Sequence, residues 1–255
     1  MASPRPMPPA TNTGTAVAAP KGSSYGNART YKQTKENITV NLRVSAWTWD
    51  GKNVTDAYLG NNTASNGGLF DINRTEGKGG GNTHTIDNQA GFDFLLFQFD
   101  RNVQLTGVTA NAFAIGSKGV DNDLTIGRSV SLGGSWDAAP TGLNNMAVGN
   151  MAKLFQAQRD IDSSYTKGTL DVNRVLNPAG TSAITGKVWM ISASLSRPDT
   201  TIDSFKLDTL KIQTNSTMGV LGPVPEPATW LTMIVGFGAI GGVARRRRSA
   251  TAITA

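Results

Sequence analysis

Cysteine is absent from this 255-residue chain, and histidine occurs only once, at His84. The lack of cysteine excludes disulfide bonds, thiolate nucleophiles and cysteine-based zinc sites. The single histidine excludes metal sites built from several histidines and most catalytic triads. We therefore expect the fold to be held together by an ordinary packed core.

Charge is also sparse, since charged residues make up only 16% of the chain and the formal net charge is +6. Four of the positive charges are consecutive, which leaves +2 for all other residues; they are Arg245, Arg246, Arg247 and Arg248. The remaining lysines and arginines are scattered and form no basic stripe interleaved with aromatic residues. We expect no nucleic-acid partner, because such binding requires a concentrated positive surface.

One long uncharged apolar run is present, at residues 228–244. As a helix it would be about 25 Å long, which is the short end of what spans a bilayer. Trp230 lies where an interfacial aromatic residue is expected, and the arginine cluster 245–248 follows the other end directly. The pattern predicts a single C-terminal transmembrane helix with the arginines on the cytoplasmic side. The alternative is a buried helix of a soluble domain.

A specific motif surrounds this apolar run. It begins with Pro225, Glu226, Pro227 and Trp230, continues through the glycines at 236–242 and ends with the arginine cluster. This order resembles the PEP-CTERM sorting signal in its PEPxxW variant. The resemblance implies an exosortase partner in a Gram-negative bacterium and processing near the Pro-Glu-Pro. It also implies an inner-membrane anchor with the outer domain in the periplasm, followed by release to the cell surface or the extracellular space.

The N-terminus contrasts with this topology, because Met1 to Pro20 contain no hydrophobic signal-peptide core. They do contain Ala16-Val17-Ala18-Ala19, which is similar to the end of a signal peptide. We expect the charged and apolar parts of a signal peptide to lie upstream of Met1. The alternative is a disordered leader over residues 1–36.

Period-two alternation dominates the region from residue 37 to residue 213. Ile38, Val40, Leu42 and Val44 alternate with polar residues and predict a half-buried strand. The alternation shifts phase inside 92–100, which suggests a bulge or a strand buried on both faces. Further strands are expected at 103–105, 108–115, 124–132, 187–195 and 204–213. Residues 146–162 have closer to helical spacing and predict one short helix.

These patterns predict a mainly β domain over residues 37–213, an antiparallel β-sandwich or jelly-roll with one short helical insertion. A linker at 214–224 joins this domain to the sorting signal at 225–255. The same region resembles a group of exosortase-dependent surface proteins with a β-sandwich outer domain of unestablished activity. The resemblance is carried by segments such as Val44-Ser45-Ala46-Trp47, Asp121-Asn122-Asp123 and Val188-Trp189-Met190-Ile191. It supports the fold and implies no particular chemistry.

Asp121, Asn122 and Asp123 place two carboxylates and an amide on one turn before a predicted strand. Hard oxygen ligands of this kind suit Ca²⁺, although the EF-hand glycine and glutamate positions are missing. The competing interpretation is a turn whose side chains only cap backbone groups. No other cofactor is expected.

Enzymatic chemistry finds little support in the sequence. His84 and Asp87 could form a catalytic pair, but no serine lies in a G-x-S-x-G elbow. Acid pairs such as Asp93 with Asp100, or Asp160 with Asp162, could serve glycoside hydrolysis at a suitable separation. Such an enzyme, a secreted carbohydrate-active hydrolase, is the alternative to the interpretation we favour: a non-enzymatic surface protein with a structural or glycan-binding role.

Two tryptophans bear on glycan binding. We expect Trp47 and Trp49 to point to opposite faces of one strand, where the outward ring could stack on a sugar of an extracellular polysaccharide. Packing at the edge of the sheet is the alternative.

Overall fold

The computed structural model describes residues 5–6, 26–35, 37–62, 67–74, 84–114, 120–129, 132–161, 167–170, 176, 183–195 and 202–214. The chain divides into two compact units, Met1–Asn215 and Ser216–Ala255, and all described residues belong to the first. No helix within these described ranges is long and apolar enough to cross a membrane. The predicted transmembrane helix at 228–244 lies outside them.

The described unit is built from strands that pair antiparallel with their neighbours, which confirms the prediction of a mainly β protein. In chain order they are β1 Arg5–Pro6, β2 Ala28–Lys35, β3 Ile38–Trp49, β4 Asn53–Asp56, β5 Tyr58–Asn62, β6 Gly68–Ile72, β7 Ile86–Asp87, β8 Phe92–Ala114, β9 Val120–Asp121, β10 Leu124–Ser129, β11 Met146–Ala147, β12 Phe155–Ile161, β13 Lys167–Leu170, β14 Gly186–Ala193 and β15 Ser204–Thr214.

Strand β8 is 23 residues long and joins two halves of one curled sheet. Its first part pairs with β3 on one side and β14 on the other, and the order continues through β10 to β12. Its second part pairs with β15 and β13, and β15 leads on to β6 and β5. The sequence suggested three separate strands here, because polar Asp100, Arg101 and Asn102 interrupt the apolar pattern at the centre.

The main core is formed by side chains from both halves of the sheet. Alternate residues of β3, including Val40, Leu42 and Val44, enter it as their period-two pattern predicts. Further contributors include large apolar side chains of the central strands: Leu95, Phe97, Phe99, Val108, Trp189, Ile191, Phe205, Leu207 and Leu210. Burying these side chains is the main favourable term that stabilises the fold.

A second core lies on the opposite face of the first half of the sheet. Phe94, Leu96 and Met190 point to this face, so the first part of β8 is buried on both sides, as its phase shift suggested. The segment from Leu132 to Phe155 supplies the covering side chains. Phe155 packs edge-on against Phe94, with ring centroids 6.1 Å apart.

Both tryptophans of β3 belong to this second core, which corrects their predicted placement on opposite faces. Trp47 is buried, and Trp49 packs against the cluster while its Nε1 donates to the Val148 carbonyl at 2.7 Å. Residues two apart on a strand point to the same face. Neither ring is therefore presented outward for sugar stacking.

The short helix predicted within 146–162 is wrong. The structure has a three-residue 3₁₀ turn, Met151–Lys153, capped by the Asn150 side chain, and strand β12 follows directly. Met151, Leu154 and Phe155 all face the second core, so one tight turn satisfies the helical spacing of this short apolar run.

The predicted leader 1–36 also overlaps the sheet. Strand β2 lies inside it and pairs with β3 along its whole length, and Arg5–Pro6 pairs with Lys211 and Ile212 of β15. The β2 sequence is mostly polar and most of its residues are only half-buried. We infer that its hydrogen-bonded ladder with β3 stabilises this strand more than burial does. A composition-based prediction cannot detect such a strand.

Candidate functional site

Three carboxylates converge where β9, β10 and β15 begin or end. Asp121 ends β9, Asp123 precedes β10, and Asp203 precedes β15. One oxygen from each lies within 4.8 Å of the others. Asp123 and Asp203 are buried, and a parallel β-bridge between Asp121 and Asp203 holds the two backbones side by side.

Asn88 fixes the Asp203 carboxylate. Its Nδ2 donates to Asp203 Oδ2 at 2.6 Å, and its Oδ1 accepts the Asp203 backbone N–H at 3.2 Å. The Asn88 backbone N–H also donates to the Asp203 carbonyl at 3.3 Å. This two-way pairing between distant segments orients the third carboxylate before any ligand arrives.

Asp121 and Asp123 of the predicted set contribute carboxylates to this cluster, and the Asn122 side chain between them is hydrogen-bonded to β8. The Asn122 amide donates to the Ala110 carbonyl at 3.1 Å, and its backbone N–H donates to Asp121 Oδ1 at 2.9 Å. Asn122 Nδ2 thus holds the turn against β8. Asp203 is the third carboxylate of the cluster, and no local sequence pattern connects it to the turn.

This geometry matches the ligand chemistry of a hard cation. Calcium takes oxygen ligands at about 2.3–2.6 Å, so two of its ligands can lie up to about 5 Å apart. The separation of 4.8 Å or less fits that limit. Asp121 also caps a backbone group of the turn, because its Oδ1 accepts the Asn122 backbone N–H.

The suggested catalytic pair of His84 and Asp87 is not formed among the described contacts. The Asp87 carboxylate accepts from Thr85 Oγ1 at 3.1 Å and from the Gln89 N–H at 3.0 Å. The His84 ring stacks on Phe70 with centroids 6.1 Å apart. Burial raises the pKa of Asp87, whereas burial and then the nearby Lys206 charge lower the pKa of His84.

The sorting residues Pro225, Glu226, Pro227 and Trp230 and the arginine cluster 245–248 lie outside the described residues, and so does the linker 214–224 apart from Thr214. A family model for the PEP-CTERM protein-sorting motif matches residues 223–248. The chain carries a PEP-CTERM sorting motif. This finding confirms the resemblance proposed from the sequence. The motif implies an exported protein that is membrane-associated before an exosortase processes it. Comparison with curated proteins and with solved structures finds no match.

Proposed function

We propose that this PEP-CTERM protein is a non-enzymatic component of the cell surface or extracellular polysaccharide matrix of a Gram-negative bacterium. Its β unit, which we regard as sandwich-like, is exported into the periplasm while the helix 228–244 anchors it in the inner membrane. An exosortase then processes it near Pro225-Glu226-Pro227. The role of the β unit is structural or glycan-binding.

The observation that carries this proposal is the sorting motif at residues 223–248. Its order of parts also sets an orientation, because a block of arginines flanking a span stays in the cytoplasm and the preceding residues are then outside. The lack of cysteine agrees with a domain that needs no disulfide formation after export.

A non-enzymatic role is supported by the placement of the acids that could serve hydrolysis. Asp93 and Asp100 both lie on β8, seven positions apart, so about 23 Å separates them along the strand. Glycosidase carboxylates lie about 5–9.5 Å apart. Asp93 is also buried and accepts a hydrogen bond from Thr48 Oγ1 at 2.8 Å. Asp162, of the other pair, lies outside the described residues.

The experiment that tests the proposal compares the protein from wild-type cells and from cells lacking exosortase. We expect intact mass to show cleavage near residues 225–227 in the first case and an unprocessed, membrane-bound chain in the second. Identical masses and locations in both strains would refute exosortase processing. Incubation with a panel of polysaccharides distinguishes this non-enzymatic role from the alternative of a secreted carbohydrate-active hydrolase. Hydrolysis of any polysaccharide would favour the hydrolase, and binding without hydrolysis would favour the non-enzymatic role.

Calcium binding by Asp121, Asp123 and Asp203 is a second candidate property. The specific observation in its favour is that the half-buried Asp121 and buried Asp123 of one turn converge within 4.8 Å of the buried Asp203 of a distant segment. A cation held there would link β9 and β10 to the start of β15. It would stabilise the exported fold in a calcium-containing exterior.

A further inference from the structure

A second group of polar side chains lies on the face of β8 and β15 that points away from the main core. Lys206 stands between Phe205 and Leu207, which both enter the main core, so its side chain projects to the opposite face. Asn111 is its cross-strand partner on β8. Both side chains are buried.

The Lys206 ammonium lies between two phenyl rings. Its Nζ is 4.9 Å from the Phe70 ring centroid and 4.5 Å from that of Phe113. Within the described part of the chain, Lys206 forms no salt bridge. Cation–π contacts offset only part of the cost of taking an ammonium out of water, so an anion beside Nζ would be strongly favoured. Burial accordingly lowers the pKa of Lys206.

Asn111 presents a hydrogen-bond acceptor on the same face. Its Nδ2 donates to the Gly67 carbonyl at 2.9 Å, which fixes the amide orientation and directs Oδ1 elsewhere. Asn111 Oδ1 is buried and accepts no hydrogen bond from the described residues, and His84 Nε2 likewise has no partner there. Unsatisfied buried polar atoms are uncommon in native proteins and call for a partner. An acceptor oxygen requires an O–H or N–H donor.

The anion favoured beside Lys206 Nζ and the hydrogen-bond donor required by Asn111 Oδ1 together define a ligand. We propose that Lys206, Asn111 and His84, with Phe70 and Phe113, form a binding site for an acidic sugar unit, the hydroxylated carboxylate of a uronic acid. The carboxylate pairs with the Lys206 ammonium, and a sugar hydroxyl donates to Asn111 Oδ1. His84 Nε2 hydrogen-bonds a second hydroxyl.

Inorganic sulfate satisfies only the first requirement, because it carries no O–H group at neutral pH. A fully ionised oxyanion would place another acceptor against Asn111 Oδ1. Neutral sugars satisfy only the second. His84 and Phe113 are half-buried, so these two residues lie at the solvent-facing edge of the group. This inference rests on the proposed glycan-binding role and names the class of glycan.

The test uses the full chain purified in detergent, titrated by calorimetry with tri-galacturonate, with the neutral galactose trisaccharide and with inorganic sulfate. Lys206→Met keeps the packing of the stem between the rings and removes the charge. We expect it to weaken tri-galacturonate binding roughly tenfold or more. The matched control is Lys211→Met, on the same strand, which we expect to leave binding unchanged.

Equal binding of tri-galacturonate by wild type and folded Lys206→Met would overturn the site. Sulfate or the neutral trisaccharide binding as tightly as tri-galacturonate would overturn the ligand class. If only the site fails, tri-galacturonate still binds to both variants and the broader glycan role survives; if that role fails, no glycan of the panel binds at all.

A measurement on the wild-type chain covers the case in which Lys206→Met does not fold. With ¹³C-labelled lysines, tri-galacturonate should shift the Lys206 ε-methylene resonance and leave that of Lys211 in place. Equal or absent shifts at both lysines would refute the proposal.

Discussion

At the scale of single residues, the convergence of Asp121, Asp123 and Asp203 has an energetic consequence. Three carboxylates within 4.8 Å repel one another when all are ionised, and either a proton or a cation relieves that repulsion. The calcium hypothesis therefore predicts that removing one of these carboxylates lowers the stability of the chain when calcium is present and does not lower it when calcium is absent.

We expect calcium to raise the unfolding temperature of the wild-type chain and to leave that of Asp203→Asn nearly unchanged. At a calcium concentration of about 100 times Kd the wild type should gain about 2.7 kcal/mol. With chelator, the variant should be at least as stable as wild type, because one repelling charge is gone while the amide can still pair with Asn88. Asp208→Asn, at an exposed position of the adjoining strand β15, is the control. A calcium response that persists in Asp203→Asn contradicts this site.

Asp87 gives a prediction about pH. Burial raises its pKa in the folded chain, so the folded state resists ionisation of this carboxyl more than the unfolded state does. The stability that this raised pKa contributes is fully present below the ordinary pKa of 3.8. It is lost as the pH rises through the pKa that Asp87 has in the folded chain. Asp87→Asn should thus have a higher urea midpoint than wild type at pH 7 and a similar one near pH 3. A lower midpoint for the variant at pH 7 would argue against a burial penalty.

The sequence predicted some of these residues and missed others for a physical reason. Asp121 and Asp123 could be identified because turn chemistry is local. Asp203 and Lys206 could not, since only the pairing of β15 with its neighbours brings them to their partners.

At the scale of elements, the segment from Leu132 to Phe155 covers the second core and makes β8 a strand buried on both faces. A test of this role targets Phe155, which is fully buried. Phe155→Ala should lower the free energy of unfolding by about 3–5 kcal/mol, measured by urea denaturation. Gln156→Ala, at the exposed neighbouring position, should change it by less than about 0.5 kcal/mol. Similar effects at both positions would mean that this segment does not form a core.

Periodicity predicted the elements that bury apolar side chains and failed for those that do not. β3, β10, β14 and β15 were all expected near their observed positions, because alternation reports burial of one face. β2 was missed because its stability comes from backbone pairing, and the 3₁₀ turn was taken for a helix because one turn of either gives the same spacing. The joining of three expected strands into β8 depends on long-range pairing, which has no local pattern.

At the scale of the whole molecule, the arginine cluster supplies four of the six net positive charges and sets the predicted orientation. Replacing residues 245–248 by alanine should strongly reduce the processed form, as measured by immunoblots of membrane and released fractions. Replacing them by lysine keeps the charge and should preserve processing. If the lysine version fails as badly as the alanine version, charge alone does not explain the cluster.

Strand β15 is the strand nearest the sorting motif in the described part of the chain, and it pairs with β8 from Phe205 to Thr214. This has a mechanical consequence for a protein held by its C-terminal tail. Tension that runs along β15 acts across its hydrogen bonds, which lie perpendicular to the strand, and therefore loads the whole ladder in shear. The ladder would then break as a unit at high force, whereas a strand peeled from its end breaks one bond at a time.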